Sequence, residues 1–155
     1  FPLLRKNFLD LYRRNICRHT RLFPGMDEVL DTLEAGGYRW GIVTNKPGWL
    51  TMPLLEVLDL HGRAACVISG DTLPQRKPNP EPLLYACSLM GGAPAETIYV
   101  GDARRDIEAG INAGIPTVIA GYGYIDDNDL IDTWGADHVI DSPLELLSWL
   151  RTRQV

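Results

Sequence analysis

The 155-residue chain has few cysteines, no long apolar run and no excess of positive charge. Its three cysteines, Cys17, Cys66 and Cys87, lie far apart and form no Cys-x-x-Cys pair. That spacing argues against a disulfide framework or a zinc site. It predicts buried free thiols in a reducing compartment, and hence a cytoplasmic protein. No stretch approaches the roughly 20 apolar residues of a membrane helix, and no signal-peptide pattern is present. The net charge of −5 leaves no electrostatic footprint for nucleic acid. The most basic stretch, Arg13-Arg14 through Arg18 and Arg21, is interleaved with apolar residues and reads as the solvated face of a helix. No strand is followed by Gly-x-Gly-x-x-Gly. Gly121-Tyr122-Gly123-Tyr124 lacks both the third glycine and a following helix, which excludes a dinucleotide-binding domain.

What is present is ordinary globular composition, 45% apolar and 23% charged, in a chain long enough for one domain with a real core. Leu4, Phe8, Leu11, Tyr12 and Ile16 recur at a helical period, predicting a helix over 1–20 that Leu22-Phe23-Pro24-Gly25 breaks. Asp27 through Ala35 reads as a second helix, closed by Gly36-Gly37. Short apolar runs at 39–44, 65–69, 98–101, 116–120 and 137–140 read as strands. Helical patterns at 50–60, 81–90, 106–113 and from Ser142 alternate with them, and a short acidic helix is expected around 128–134. Pro53 is expected in the first turn of its helix or at a kink. Ser142-Pro143-Leu144-Glu145 has the form of a capping box. Continuous apolar strands alternating with helices predict a doubly wound α/β domain, its parallel sheet covered on both faces.

In such sheets ligands sit beyond the carboxyl ends of the strands. Three polar groups are predicted at that edge. Thr44-Asn45 ends the first strand and offers a hydroxyl, an amide and backbone N–H groups to an anion. Lys77 lies in the loop after the second strand, stiffened by Pro78 and Pro80. Asp102 ends the third strand, with Asp106 one helical turn behind it. Taken singly, each has a plainer reading. Thr44 would be a strand-end hydroxyl, Lys77 a solvated lysine, and the two aspartates a helix cap and a first-turn charge. Together they offer a cation site, an anion cradle and a fixed positive charge. That combination suits phosphoryl transfer, which depends on positioning and charge neutralisation.

These segments resemble a known family. Trp40-Gly41-Ile42-Val43-Thr44-Asn45-Lys46, Lys77-Pro78-Asn79-Pro80 and Val100-Gly101-Asp102-Ala103-Arg104-Arg105-Asp106 look like motifs two, three and four of the haloacid dehalogenase superfamily. Gly70-Asp71-Thr72-Leu73-Pro74-Gln75-Arg76-Lys77-Pro78 is similar to phosphoglycolate phosphatases, and the segment from Thr44 to Leu50 to N-acetylmuramic acid 6-phosphate phosphatases. The resemblance implies a Mg²⁺-dependent hydrolase of small phosphorylated metabolites that works through an aspartyl-phosphate. Thr44 and Asn45 would bind the phosphoryl group and Lys77 would neutralise it. Asp102 would ligate Mg²⁺, with Asp106 as a ligand or its partner.

The family's first motif, a strand ending Asp-x-Asp-Gly-Thr, has no counterpart. Asp126-Asp127-Asn128-Asp129 follows no suitable strand and comes after motif four. By the resemblance, residues 1–22 are the last helix of a helical cap and 23–155 an α/β core without its central strand. That strand's place, between those ending at Thr44 and Asp102, would be filled by a missing N-terminal segment, a segment swapped from another copy or a rearranged sheet. A non-catalytic module that binds phosphate and metal is the competing reading. The three intact motifs weigh against it. The 155-residue chain alone is expected not to turn over phosphoesters, and steady p-nitrophenyl phosphate hydrolysis by the purified chain would refute this.

Overall fold

A computed structural model of the chain describes residues 2–4, as a strand, and residues 21–153. The expected doubly wound arrangement is present. Strands β1 (Pro2–Leu4), β4 (Ile98–Gly101), β5 (Thr117–Ala120) and β6 (His138–Ile140) form a four-stranded parallel sheet in the order β1-β4-β5-β6. Strands β2 (Ile42–Val43) and β3 (Val67–Ile68) pair in parallel beside it. Their ladder continues past the regular strands through Ala65 N–H to Trp40 O, Thr44 N–H to Ile68 O and Gly70 N–H to Lys46 O. The chain is therefore extended over most of the two runs read as strands. Helices α1 (Met26–Ala35), α2 (Gly48–Val57), α3 (Glu81–Met90), α4 (Arg104–Ala113) and α5 (Pro143–Arg153) fall close to the expected positions.

The period-two alternation of the strands sorts their side chains onto two faces. Ile42, Ile98, Val100, Val118 and Ile140 join Val29, Leu30 and Leu33 of α1, Leu54 and Leu55 of α2, and Leu146 and Leu150 of α5 in one core. Val43, Ile68 and Tyr99 turn the other way, against Leu83, Ala86, Cys87 and Met90 of α3 and Ala109 and Ala113 of α4. Helix α4 lies tight on the sheet because Gly110 has no side chain: a Cβ there would stand 2.2 Å from the Thr117 methyl. Cys66 and Cys87 are buried and free, as expected. Burial pushes the Cys66 thiol up to about 11 and also raises that of Cys87, so both stay protonated and unreactive near neutrality. Cys17 lies outside the described residues.

Several expectations need correction. Pro2–Leu4, read as part of a helix, is a strand in register with Ile98–Val100. A Pro-Leu-Leu run is short enough to suit either state, and the open edge of β4 offers a row of donors and acceptors that only an extended segment can pair. The gap expected beside β4 is thus filled from within the chain. The remainder of the expected cap helix, 5–20, lies outside the described residues. The acidic segment at 128–134 forms only a 3-10 turn, Ile131–Thr133. Pro53 is not in the first turn of α2 but in its interior, the second of the two places expected for it. Glu145 reaches back to the N–H of Asp141 at 2.7 Å, one residue earlier than the capping box predicts.

Outside the sheet, Glu34 ties α1 to the segments around it. It accepts from Trp40 Nε1 at 3.0 Å and from Arg63 Nε at 2.9 Å, while Arg63 also reaches Asp31 at 2.7 Å. The hydrogen bond from Arg63 holds the Glu34 carboxyl below its ordinary value of 4.5. A depressed folded-state value means that this stabilisation is present above the unfolded value and is lost as pH falls through the folded one. Glu34→Gln is therefore expected to narrow the stability difference between pH 7 and pH 3, as urea titrations at the two values would show.

Candidate phosphoryl-transfer site

Each predicted site residue stands where a strand or its following loop delivers it to the carboxyl edge of the sheet. Thr44 directly follows β2 and is buried. Its Oγ1 accepts the N–H of Lys46 at 3.2 Å, which leaves the hydroxyl proton for an acceptor above it. The turn is closed by Gly70, whose N–H donates to Lys46 O. A Cβ at Gly70 would come within 1.9 Å of Asn45 O, so only glycine allows the two loops to meet.

Asn45 performs a task that the sequence does not reveal. Its Nδ2 donates to Lys77 O and its Oδ1 accepts from Lys77 N, both at 3.1 Å. This reciprocal clamp fixes the backbone of Lys77 against the first loop. The Oδ1 and one Nδ2 hydrogen are thereby committed to the protein, and Asn45 keeps its backbone N–H and the second Nδ2 hydrogen to offer an anion.

Lys77 is not the solvated loop lysine of the plain reading. Its side chain is wholly buried and runs beneath the sheet edge. Nζ donates to Asp106 Oδ1 at 2.6 Å, to the Tyr99 hydroxyl at 2.9 Å and to Val43 O at 3.4 Å. Tyr99 in turn donates to Val43 O at 3.2 Å. The pleat explains the meeting, since Val43 and Tyr99 lie on the α3/α4 side from which Lys77 enters. Tyr99 went unassigned in the sequence. The available signal was a phenol inside a buried aliphatic strand, which must find a partner for its hydroxyl.

Asp106 and Asp102 have separate tasks. Besides Lys77, Asp106 accepts the N–H groups of Asp102 at 3.2 Å and Ala103 at 3.0 Å through Oδ2, so both its oxygens are held by protein donors. A Cβ at Gly101 would stand 2.4 Å from that of Asp106, which explains the glycine ending β4. Asp102 instead opens onto a cleft of about 470 Å³ and accepts the N–H of Tyr124 at 3.1 Å through Oδ2. The loop can close over it because Gly123 has no side chain: a Cβ there would lie 2.6 Å from Asp102 Cβ and Oδ2. The Gly121-to-Tyr124 loop, a failed dinucleotide motif by sequence, thus orients a carboxylate. Tyr122 lies close enough for burial and then the Asp102 charge to raise its phenol above the ordinary range.

The three predicted motifs therefore converge on one edge. The family model of the haloacid dehalogenase-like hydrolases matches residues 3–120. The chain belongs to this family. Among curated relatives, an N-acetylmuramic acid 6-phosphate phosphatase of Pseudomonas putida is 45% identical over 146 residues, covering 94% of this chain and 66% of that protein. A phosphoglycolate phosphatase of Xylella fastidiosa is 43% identical over 136 residues, covering 88% of this chain and 59% of its own length. Among solved structures, one described as a predicted phosphoglycolate phosphatase from Haemophilus somnus superposes with a TM-score of 0.82 at 34% identity, over 90% of this chain and 61% of that one. The chain thus spans about two thirds or less of the relatives it matches.

Among the described residues no group of three His, Cys, Asp or Glu forms a ready metal cage. The donor set nevertheless fits Mg²⁺, which is usually held by one or two carboxylates together with substrate phosphate and water. Asp102 would supply that carboxylate. Asp106, with both oxygens committed, would orient Asp102 and its neighbours and pair with Lys77. Removing the ammonium would leave Asp106 buried without its counter-charge. Lys77→Met is expected to lower stability by about 3–5 kcal/mol, measured by urea unfolding. A loss within ~1 kcal/mol would show that the pair contributes little.

Proposed function

We propose that this protein is a Mg²⁺-dependent phosphomonoester hydrolase acting on small phosphorylated metabolites that also carry a carboxylate. The observation that carries the reading is the convergence of Thr44-Asn45, Lys77, Asp106 and Asp102 at one sheet edge, with Asn45, Lys77, Asp106 and Asp102 cross-linked by hydrogen bonds. The relatives support the substrate class. Phosphoglycolate and N-acetylmuramic acid 6-phosphate are different molecules, yet each combines a phosphomonoester with a carboxylate.

In this reading the Thr44 hydroxyl and the Asn45 N–H donate to the phosphoryl oxygens. The Lys77 ammonium is a fixed positive charge beneath them, held by Asp106 and Tyr99, and its longest bond, to Val43 O, is the one most readily exchanged for a phosphoryl oxygen. Mg²⁺ bound at Asp102 supplies further neutralisation of the charge on the transferring group. The attacking aspartate implied by the family, and the second aspartate acting as acid and base, have no counterpart in this sequence and would come from a segment outside it that takes the place of Pro2–Leu4 beside β4. A pseudophosphatase reading draws on that absence, whereas the retention of every other charged group of the site favours hydrolysis.

The test is phosphate release by the protein with an Asp-x-Asp-Gly-Thr segment present upstream of this chain. Release from 2-phosphoglycolate or N-acetylmuramic acid 6-phosphate is expected with Mg²⁺ and not with EDTA. Thr44→Val should lower kcat by ~10², as for loss of one donor to a developing charge, with a small fall in melting temperature from the lost bond to the Lys46 N–H. No release from any phosphomonoester would overturn the proposal.

A further inference from the structure

One backbone oxygen links the buried lysine to the strand beside it. Ile42 and Thr44, on either side of Val43, turn their N–H groups to β3 and donate to Cys66 O and Ile68 O. Alternation along the strand therefore aims Val43 O at the opposite edge, outside that ladder. Among the described residues its donors are Lys77 Nζ at 3.4 Å and the Tyr99 hydroxyl at 3.2 Å. Nζ and the hydroxyl are themselves 2.9 Å apart, so the three atoms close a small triangle. Tyr99 and the Lys77 side chain are both fully buried.

A phenylalanine would fill the same space in β4, so the hydroxyl is what a tyrosine adds there. Its proton goes to Val43 O, and it accepts a proton of the ammonium. The three N–H bonds of an ammonium point in fixed tetrahedral directions. Here one faces Asp106 at 2.6 Å, one faces Tyr99, and the third faces Val43 O, the longest of the three contacts. A phosphoryl oxygen can take the third donor without disturbing the other two. That exchange withdraws a donor from Val43 O, and a buried carbonyl left without one is costly. Tyr99 already donates to it.

We propose that Tyr99 is a positioning residue for Lys77: its hydroxyl keeps Val43 O paired when the ammonium turns from that carbonyl to a phosphoryl oxygen. The inference rests on the phosphomonoester reading above and adds how a wholly buried lysine is released to the substrate. In Tyr99→Phe the donor facing the ring cannot serve the phosphoryl group without breaking the bond to Asp106. Lys77 would then have to leave Val43 O unpaired in order to bind, and phosphate affinity carries that cost.

The experiment titrates orthophosphate into the full chain in the presence of Mg²⁺, by isothermal titration calorimetry, and Mg²⁺ alone in a second series. Tyr99→Phe is expected to weaken phosphate about tenfold, the scale of one orphaned buried acceptor, and to leave Mg²⁺ affinity within about twofold. The ring is retained, so the variant should fold, its melting temperature lower by a few degrees. A tyrosine with a merely structural role would give that fall alone. A second readout needs no substitution. Val43-Thr44 is the one Val-Thr pair in the sequence, so carbonyl-¹³C valine with ¹⁵N threonine marks this peptide alone. In the wild-type chain its carbonyl resonance should stay at a hydrogen-bonded position when phosphate saturates. Movement to the position of an unbonded carbonyl, unchanged phosphate affinity in Tyr99→Phe, or equal weakening of phosphate and Mg²⁺ would overturn the positioning role and leave the phosphomonoester reading standing. No binding of phosphate by the wild-type chain would overturn both.

Discussion

The Lys77–Asp106 pair is the interaction on which the site depends. Two opposite charges, fully buried and 2.6 Å apart, join a loop to a helix across the edge of the sheet. Burial of each charge alone is costly. Together, and with their remaining hydrogen-bonding capacity satisfied, they fix geometry more than they add stability. Lys77 is completed by Tyr99 and Val43, and Asp106 by the N–H groups of Asp102 and Ala103. The pair therefore connects β2, β4, α4 and the loop before α3. A shift in any one of them is felt by the others.

Around this pair the glycines explain how the segments come so close. Gly70 lets the Lys77 loop meet the Thr44 turn, Gly101 lets Asp106 fold back over the end of β4, and Gly123 lets the last loop close on Asp102. None of the three has a positive φ. Their value lies in the absent Cβ, which would otherwise occupy space taken by a backbone oxygen or a carboxylate. The site is assembled by close backbone approach, and its charged side chains occupy the positions which that approach leaves.

The division of labour between the aspartates follows. Asp106 faces inward and spends both oxygens on protein donors, while Asp102 faces the cleft with one oxygen held by Tyr124. Spacing alone made them equivalent, two carboxylates one helical turn apart. Their environments separate them into an orienting group and a candidate ligand.

Period and punctuation in the sequence determined the α/β class, the order of strands and helices, and the identity of Thr44, Lys77, Asp102 and Asp106 as residues of one edge. They did so because a two-residue strand period and glycine-closed helices are local properties, and a parallel sheet places every strand's carboxyl end on one side. Tertiary structure alone decided that Pro2–Leu4 pairs with β4, that Asn45 clamps Lys77, that Tyr99 lies under the ammonium, and that the Gly-Tyr loop holds Asp102. Each of these is a contact across at least 20 residues of chain. Its partner is chosen by which backbone edges and unsatisfied polar groups the packed sheet leaves open, and no local pattern encodes that choice.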